Sequence, residues 1–204
     1  MQQSALRNEP PARQATASAS NGAKEAAIPM ATYSLIARGF HWLTAVLVLA
    51  AFVLSVGGPE TRVFSQANQS ALTLHESLGA SVFVLTLLRL ANRLWSPPPA
   101  APPMPDWMHW AASATSAALY FLLVFIPLSA IAGSWLEGHP LSFYLLGGIG
   151  SPFATSQALG QSILSVHKLA GDAIMWIAGL HAAAALFHHF IQRDTVLRSM
   201  LGSR

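Results

Sequence analysis

Among the eight histidines of the chain, His167 and His181 stand fourteen residues apart in VHKLAGDAIMWIAGLHAAAALFHHF, an apolar run from Val166 to Phe190. At about 100° per residue this spacing falls about 40° short of four turns, so both rings leave nearly the same helix face, about 21 Å apart along the axis. Ionisable groups inside a membrane span are costly, normally face a bundle interior and are functional by default. Two ligand sites at two depths are expected, each needing partners from other helices.

The chain must first be one that crosses membranes. It is 53% hydrophobic and only 9% charged, with a mean hydropathy of +0.45, against a soluble average of about a quarter charged. The net charge of +3 reflects basic residues placed where membrane topology needs them, so no nucleic-acid partner is expected. The absence of cysteine excludes disulfides, thiolate metal sites, iron–sulfur clusters and c-type haem attachment. Histidine is the main soft ligand that remains.

Residues 1–30 are rich in Ala, Ser, Gln and Pro, have no signal-peptide core, and read as a disordered cytoplasmic tail; Glu9 and Glu25 speak against a transit peptide. Residues 31–204 hold four apolar segments, about Ser34–Val56, Leu72–Trp95, Trp107–Trp135 and Ser162–Phe190, each with the about 20 residues that span a bilayer. Gly57, Gly58 and Pro59, the prolines from Pro97 to Pro105, and Gly147, Gly148, Gly150 and Pro152 punctuate them. Pro127, inside the third, is expected to kink it. The fold expected is all-α, an integral membrane four-helix antiparallel bundle. With four spans, Arg7, Arg13, Lys24, Arg38, Arg89, Arg93, Arg193, Arg198 and Arg204 fall on one side and Arg62 and Lys168 on the other. The positive-inside rule then puts both termini in the cytoplasm. Trp95, Trp107, Trp110 and Trp135 sit where an interfacial belt would.

Depth pairs the histidines. His75 on the second segment lies level with His167, toward the outer surface, and His41 on the first lies level with His181, toward the inner one. Zinc wants three or four ligands at one place. Two per depth, from different helices, suit the axial positions of a haem iron. Gly79 and Gly171, each one turn beyond an outer histidine, would let a flat macrocycle approach the backbone, or would serve helix packing in lipid.

FHWLTAVLVLAAF, LHESLGASVFVLTLLRLANRL, LYFLLVFIPLSAIAG and GLHAAAALFHHF resemble the bacterial cytochrome b561 family, multi-pass inner-membrane di-haem b cytochromes that include superoxide oxidases. The resemblance runs from about Ala37 to Arg198. It implies two haems b, one on His41 and His181 and one on His75 and His167, with electrons passing from superoxide outside to ubiquinone. Two features depart from the family pattern: Ser113 and Ser116 stand about where histidines often occur, and Lys168 where a relative has an acid.

Two axial histidines leave no open iron position, which favours outer-sphere electron transfer. Arg38, Arg89 and Arg93 either pair with haem propionates or a quinone, or only set topology. Glu76 and Asp172 either orient imidazoles or are ordinary interfacial acids. His188 and His189 either deliver protons to a quinone or end the helix favourably. Lys168 either focuses a small anion such as superoxide or snorkels to the interface. Beside the superoxide-oxidising, quinone-reducing reading stand two others: an electron-carrying anchor for a dehydrogenase or hydrogenase subunit, and a histidine-lined metal or proton transporter.

Overall fold

The computed structural model describes residues 32–55, 66–100 and 102–202. The tail, the connection holding Gly57, Gly58, Pro59, Glu60 and Arg62, and Arg204 lie outside the described residues. Four helices are long and apolar enough to cross a membrane: α1 Leu35–Ser55, α2 Gln66–Trp95, α3 Asp106–Leu136 and α4 Gln157–Phe187. α1, with 21 residues, is about 31 Å long and matches the hydrocarbon thickness.

α2 and α4 begin earlier than Leu72 and Ser162, the starts expected from hydropathy. The added turns are rich in Gln, Asn and Ser. Apolar content measures the bilayer, whereas a helix continues into the headgroup layer for as long as its backbone bonds do. At its far end α4 stops at Phe187 and widens into a π-helical turn, His188–Gln192, before Arg193 turns left-handed and α5 begins, Val196–Leu201. α3 runs through Pro127 without a break.

α3 packs most closely on α4, and α1 on α2. At one end of the α3–α4 seam a Cβ on Gly133 would stand 2.6 Å from Leu164 Cγ, and one on Gly160 2.7 Å from the Glu137 nitrogen. Only glycine permits that approach. The core joins Val82, Leu123 and Ile174, with Leu47, Val48 and Ile126 against them. Val82 lies seven residues from both His75 and Arg89, and Ile174 seven from both His167 and His181, so the core sits midway between the two histidine levels. Large apolar side chains elsewhere face outward, Val46, Val84, Phe121, Leu169, Trp176 and Leu180 among them, as lipid-facing surfaces require.

The α3–α4 connection folds into an antiparallel hairpin, β1 Leu141–Phe143 with β2 Gly147–Ile149. It docks on α2 through buried Leu141. This marks the hairpin end of the bundle. At the other, terminal end, the Tyr33 N–H donates to the Ser199 carbonyl at 3.2 Å and ties α5 beneath α1.

Candidate functional site

The four histidines singled out by spacing meet in two pairs. His75 of α2 faces His167 of α4 with ring centres 6.4 Å apart and planes at 81°. His41 of α1 faces His181 of α4, also at 6.4 Å, with planes at 64°. A metal held between two imidazoles by nitrogen bonds of about 2 Å, with about 1.1 Å more from each nitrogen to its ring centre, puts those centres about 6.3 Å apart. Both pairs match that span. Among the described residues no three His, Asp or Glu side chains converge to hold a metal, so the arrangement is two ligands per level.

At the hairpin end the tautomers are fixed by backbone. His75 Nδ1 lies 2.9 Å from the Ala51 carbonyl and His167 Nδ1 2.8 Å from the Ile126 carbonyl. A carbonyl only accepts, so each Nδ1 carries the proton and each Nε2 keeps its lone pair for a metal. Ser129, one of the few buried polar residues, stands 3.3 Å from His167 Nδ1 and donates its hydroxyl to the same Ile126 carbonyl. Gly79 and Gly171 each have nothing within 4 Å of where a Cβ would project. That clearance beside both ligands fits a flat macrocycle lying against the helices.

The terminal end is built with charge. Arg89 Nη2 lies 3.1 Å from His41 Nδ1 and its guanidinium over the Tyr120 ring, 5.1 Å from the centroid; a guanidinium only donates, so in this arrangement Nδ1 accepts, and ligation through Nε2 requires the guanidinium to turn aside from the imidazole. Arg93 lies over the Tyr120 ring at 6.0 Å. The Trp42 indole meets the His41 ring edge-on at 5.2 Å. His188 Nδ1 pairs with Asp194 Oδ2, and Asp194 Oδ1 accepts from the Val196 N–H at the start of α5. The His189 Nδ1 is buried with no hydrogen-bond partner among the described residues. Arg38 points away from the histidines toward α5, where a side chain at Gly202 would collide with its guanidinium.

Glu76, beside His75, does not turn to an imidazole; its carboxylate accepts the Ser142 N–H at 2.6 Å and anchors the hairpin. Ser77 and Tyr144 add a second clasp, the Tyr144 N–H donating to Ser77 Oγ and the Tyr144 hydroxyl to the Ser70 carbonyl, both at 3.2 Å. Sequence reasoning missed this lid because it took the Gly147–Gly150 tract as a helix breaker alone. It also missed Tyr120, whose one-turn register against Arg89 and Arg93 emerges only from the α2–α3 packing. Lys168 and Asp172 are exposed on α4.

A family model described as prokaryotic cytochrome b561 matches residues 32–203. The chain belongs to that family. Cytochrome b561 homolog 2 of Escherichia coli (strain K12) is 30% identical over 173 residues, covering 83% of this chain and 91% of the relative. Cytochrome b561 homolog 1 of the same organism is 32% identical over 170 residues, covering 80% and 93%. The "Probable superoxide oxidase CybB" of Yersinia pestis is 28% identical over 181 residues, covering 83% and 95%. Membership makes the chain a multi-pass bacterial membrane protein of the haem b, electron-transferring kind. The four-helix architecture expected from hydropathy agrees with it.

Proposed function

We propose that this cytochrome carries electrons through two haems b, one per histidine pair, taking them singly from superoxide at the hairpin end and delivering them to ubiquinone at the terminal end. The observation that carries the reading is the presence of two facing imidazole pairs with equal 6.4 Å spacing, stacked along one bundle. Held by His41 with His181 and by His75 with His167, haem b would supply a reversible one-electron iron couple at each level.

The chain's own groups do the rest. His75 and His167 hold their ring orientation through the Ala51 and Ile126 carbonyls. The core at Val82, Leu123 and Ile174 keeps water out between the two levels. The basic residues concentrated at the terminal end support a cytoplasmic position for that end in a bacterial inner membrane. Exposed Lys168, adjacent to His167, raises the local concentration of a small anion, an effect that salt weakens. Arg89 and Arg93 set positive charge beside the terminal-end pair, where a propionate would find it. His188, paired with Asp194, holds a proton near that surface. The stoichiometry closes: two superoxide ions each lose one electron and leave as dioxygen, and one ubiquinone takes two electrons and two cytoplasmic protons to become ubiquinol.

The test is to generate superoxide beside the purified, oxidised protein and follow the haem bands, then add ubiquinone. Expected are reduction by superoxide and reoxidation by quinone, with the first step slowed several-fold in Lys168→Glu at low salt and the difference lost at high salt. No reduction by superoxide would remove the donor in favour of quinol or a partner redox subunit. A rate indifferent to salt and substitution would keep the donor and remove the role of Lys168.

A further inference from the structure

The first turns of α1 and the short α5 form an open groove of about 300 Å³ lined by Leu35, Arg38, Gly39, Trp42, Met200 and Leu201, with Leu35, Trp42 and Leu201 partly exposed along it. It is built by contacts between chain ends far apart in sequence: Tyr33 on Ser199, and the Trp42 Nε1–H on the Met200 carbonyl at 3.4 Å. Gly202 caps α5 in the left-handed conformation, and its missing side chain leaves the space that the Arg38 guanidinium occupies.

The contents of the wall define the guest. Arg38 is the one charged group, a donor without acceptor capacity, and its Nε is buried with no hydrogen-bond partner among the described residues. A buried unpaired donor is costly and gains from an incoming acceptor. Trp42 offers an aromatic face, Leu35, Met200 and Leu201 offer apolar contact, and Gly39 leaves one side flat. A neutral flat ring with carbonyl oxygens and an apolar tail satisfies all of these. The Trp42 ring touches the groove on one side and His41 on the other, 5.2 Å between ring centres, so one side chain separates such a guest from a ligand of the terminal-end pair.

We infer that this groove is the quinone-reducing site, with Arg38 donating to a quinone carbonyl oxygen and α5 forming one wall. The inference rests on the proposed quinone-reducing function. Electrons arriving one at a time by way of His41 and Trp42, with two protons from the cytoplasmic side, convert the bound quinone to quinol.

The experiment uses the full-length, haem-loaded protein in lipid nanodiscs and a photoreactive azido-ubiquinone with a short tail, the labelled peptides being mapped by mass spectrometry. Label is expected on the Leu35–Trp42 and Met200–Leu201 stretches, displaced by unlabelled ubiquinone. Gly39→Leu projects into the groove from a position where a Cβ meets no atom within 4 Å, and Leu201→Trp fills it from the opposite wall. Each is expected to cut labelling at least tenfold and to raise the ubiquinone concentration for half-maximal displacement equally, with haem absorption as in the parent. Undiminished labelling in both variants, or label elsewhere, in a protein whose haems ubiquinone still reoxidises overturns the pocket and leaves the function standing. Haems that stay reduced in the parent with excess ubiquinone overturn the function and the pocket together. Label displaced by anionic phospholipid but not by ubiquinone makes the groove a lipid site and overturns the inference.

Discussion

The two histidine pairs share one spacing and are held by opposite means. At the hairpin end both imidazoles lean on backbone carbonyls, Ala51 and Ile126, and a β-hairpin anchored by Glu76 covers the end of α2 that carries His75. At the terminal end His41 meets the guanidinium of Arg89 and the indole of Trp42. Backbone carbonyls cannot move without unwinding a helix, so the hairpin-end ligands have one tautomer and one orientation. A guanidinium on a flexible stem places charge that can be adjusted. The hairpin-end pair is thus rigid, and the terminal-end pair stands beside adjustable charge.

The largest effect that could break this contrast is loss of a centre. His75→Ala and His167→Ala are each expected to lose the same haem and retain the other, and His41→Ala and His181→Ala to do the converse, measured as haem per chain after extraction. Removal by His75→Ala of the haem held by His181 would dissolve the pairing. Next, at Gly79 and Gly171 an added Cβ meets no atom within 4 Å, yet Gly79→Leu and Gly171→Leu should cost most of the hairpin-end haem, since the side chain would lie where the macrocycle does. Full occupancy in both variants would reduce these glycines to helix packing.

Arg89→Gln sharpens the electrostatic half. Removing a cation beside a centre favours its oxidised, more positive form, so the potential of the terminal-end haem should fall on the order of 60 mV, tenfold for a one-electron couple. The hairpin-end haem should not move in a redox titration. Equal shifts at both would contradict a local role.

The smallest effect concerns the lid. Glu76→Ala removes a charged acceptor, worth about 1.5–3 kcal/mol. It should raise amide exchange at Ser142 and Tyr144 by about ten- to a hundredfold while exchange in the α3–α4 seam stays unchanged.

Much of this was legible in sequence because a bilayer imposes simple rules. Four apolar runs fixed the helices, and thickness and direction of crossing put His41 level with His181 and His75 level with His167 before any contact was known. Helix ends beyond the hydrocarbon were not legible: the start of α2 at Gln66 and of α4 at Gln157 depends on backbone bonds in polar stretches that hydropathy does not register. Side-chain partners also stayed hidden. Arg89 and Glu76 were visible as charges near ligands, yet Arg89 turns to His41 and Glu76 turns away to Ser142 because of inter-helix rotation and a hairpin whose register no short-range pattern encodes. The fold of α5 onto α1, which makes the Arg38 groove, is likewise a contact between the two ends of the described chain.

Each histidine pair is expected to hold one six-coordinate haem. Ferric electron paramagnetic resonance with spin quantitation, on the purified full-length protein, tests it most directly. Two low-spin centres per chain are expected, both strongly anisotropic because the ligand planes stand at 81° and 64°. A single low-spin centre per chain, or a substantial high-spin signal from an iron with an open position, would contradict it.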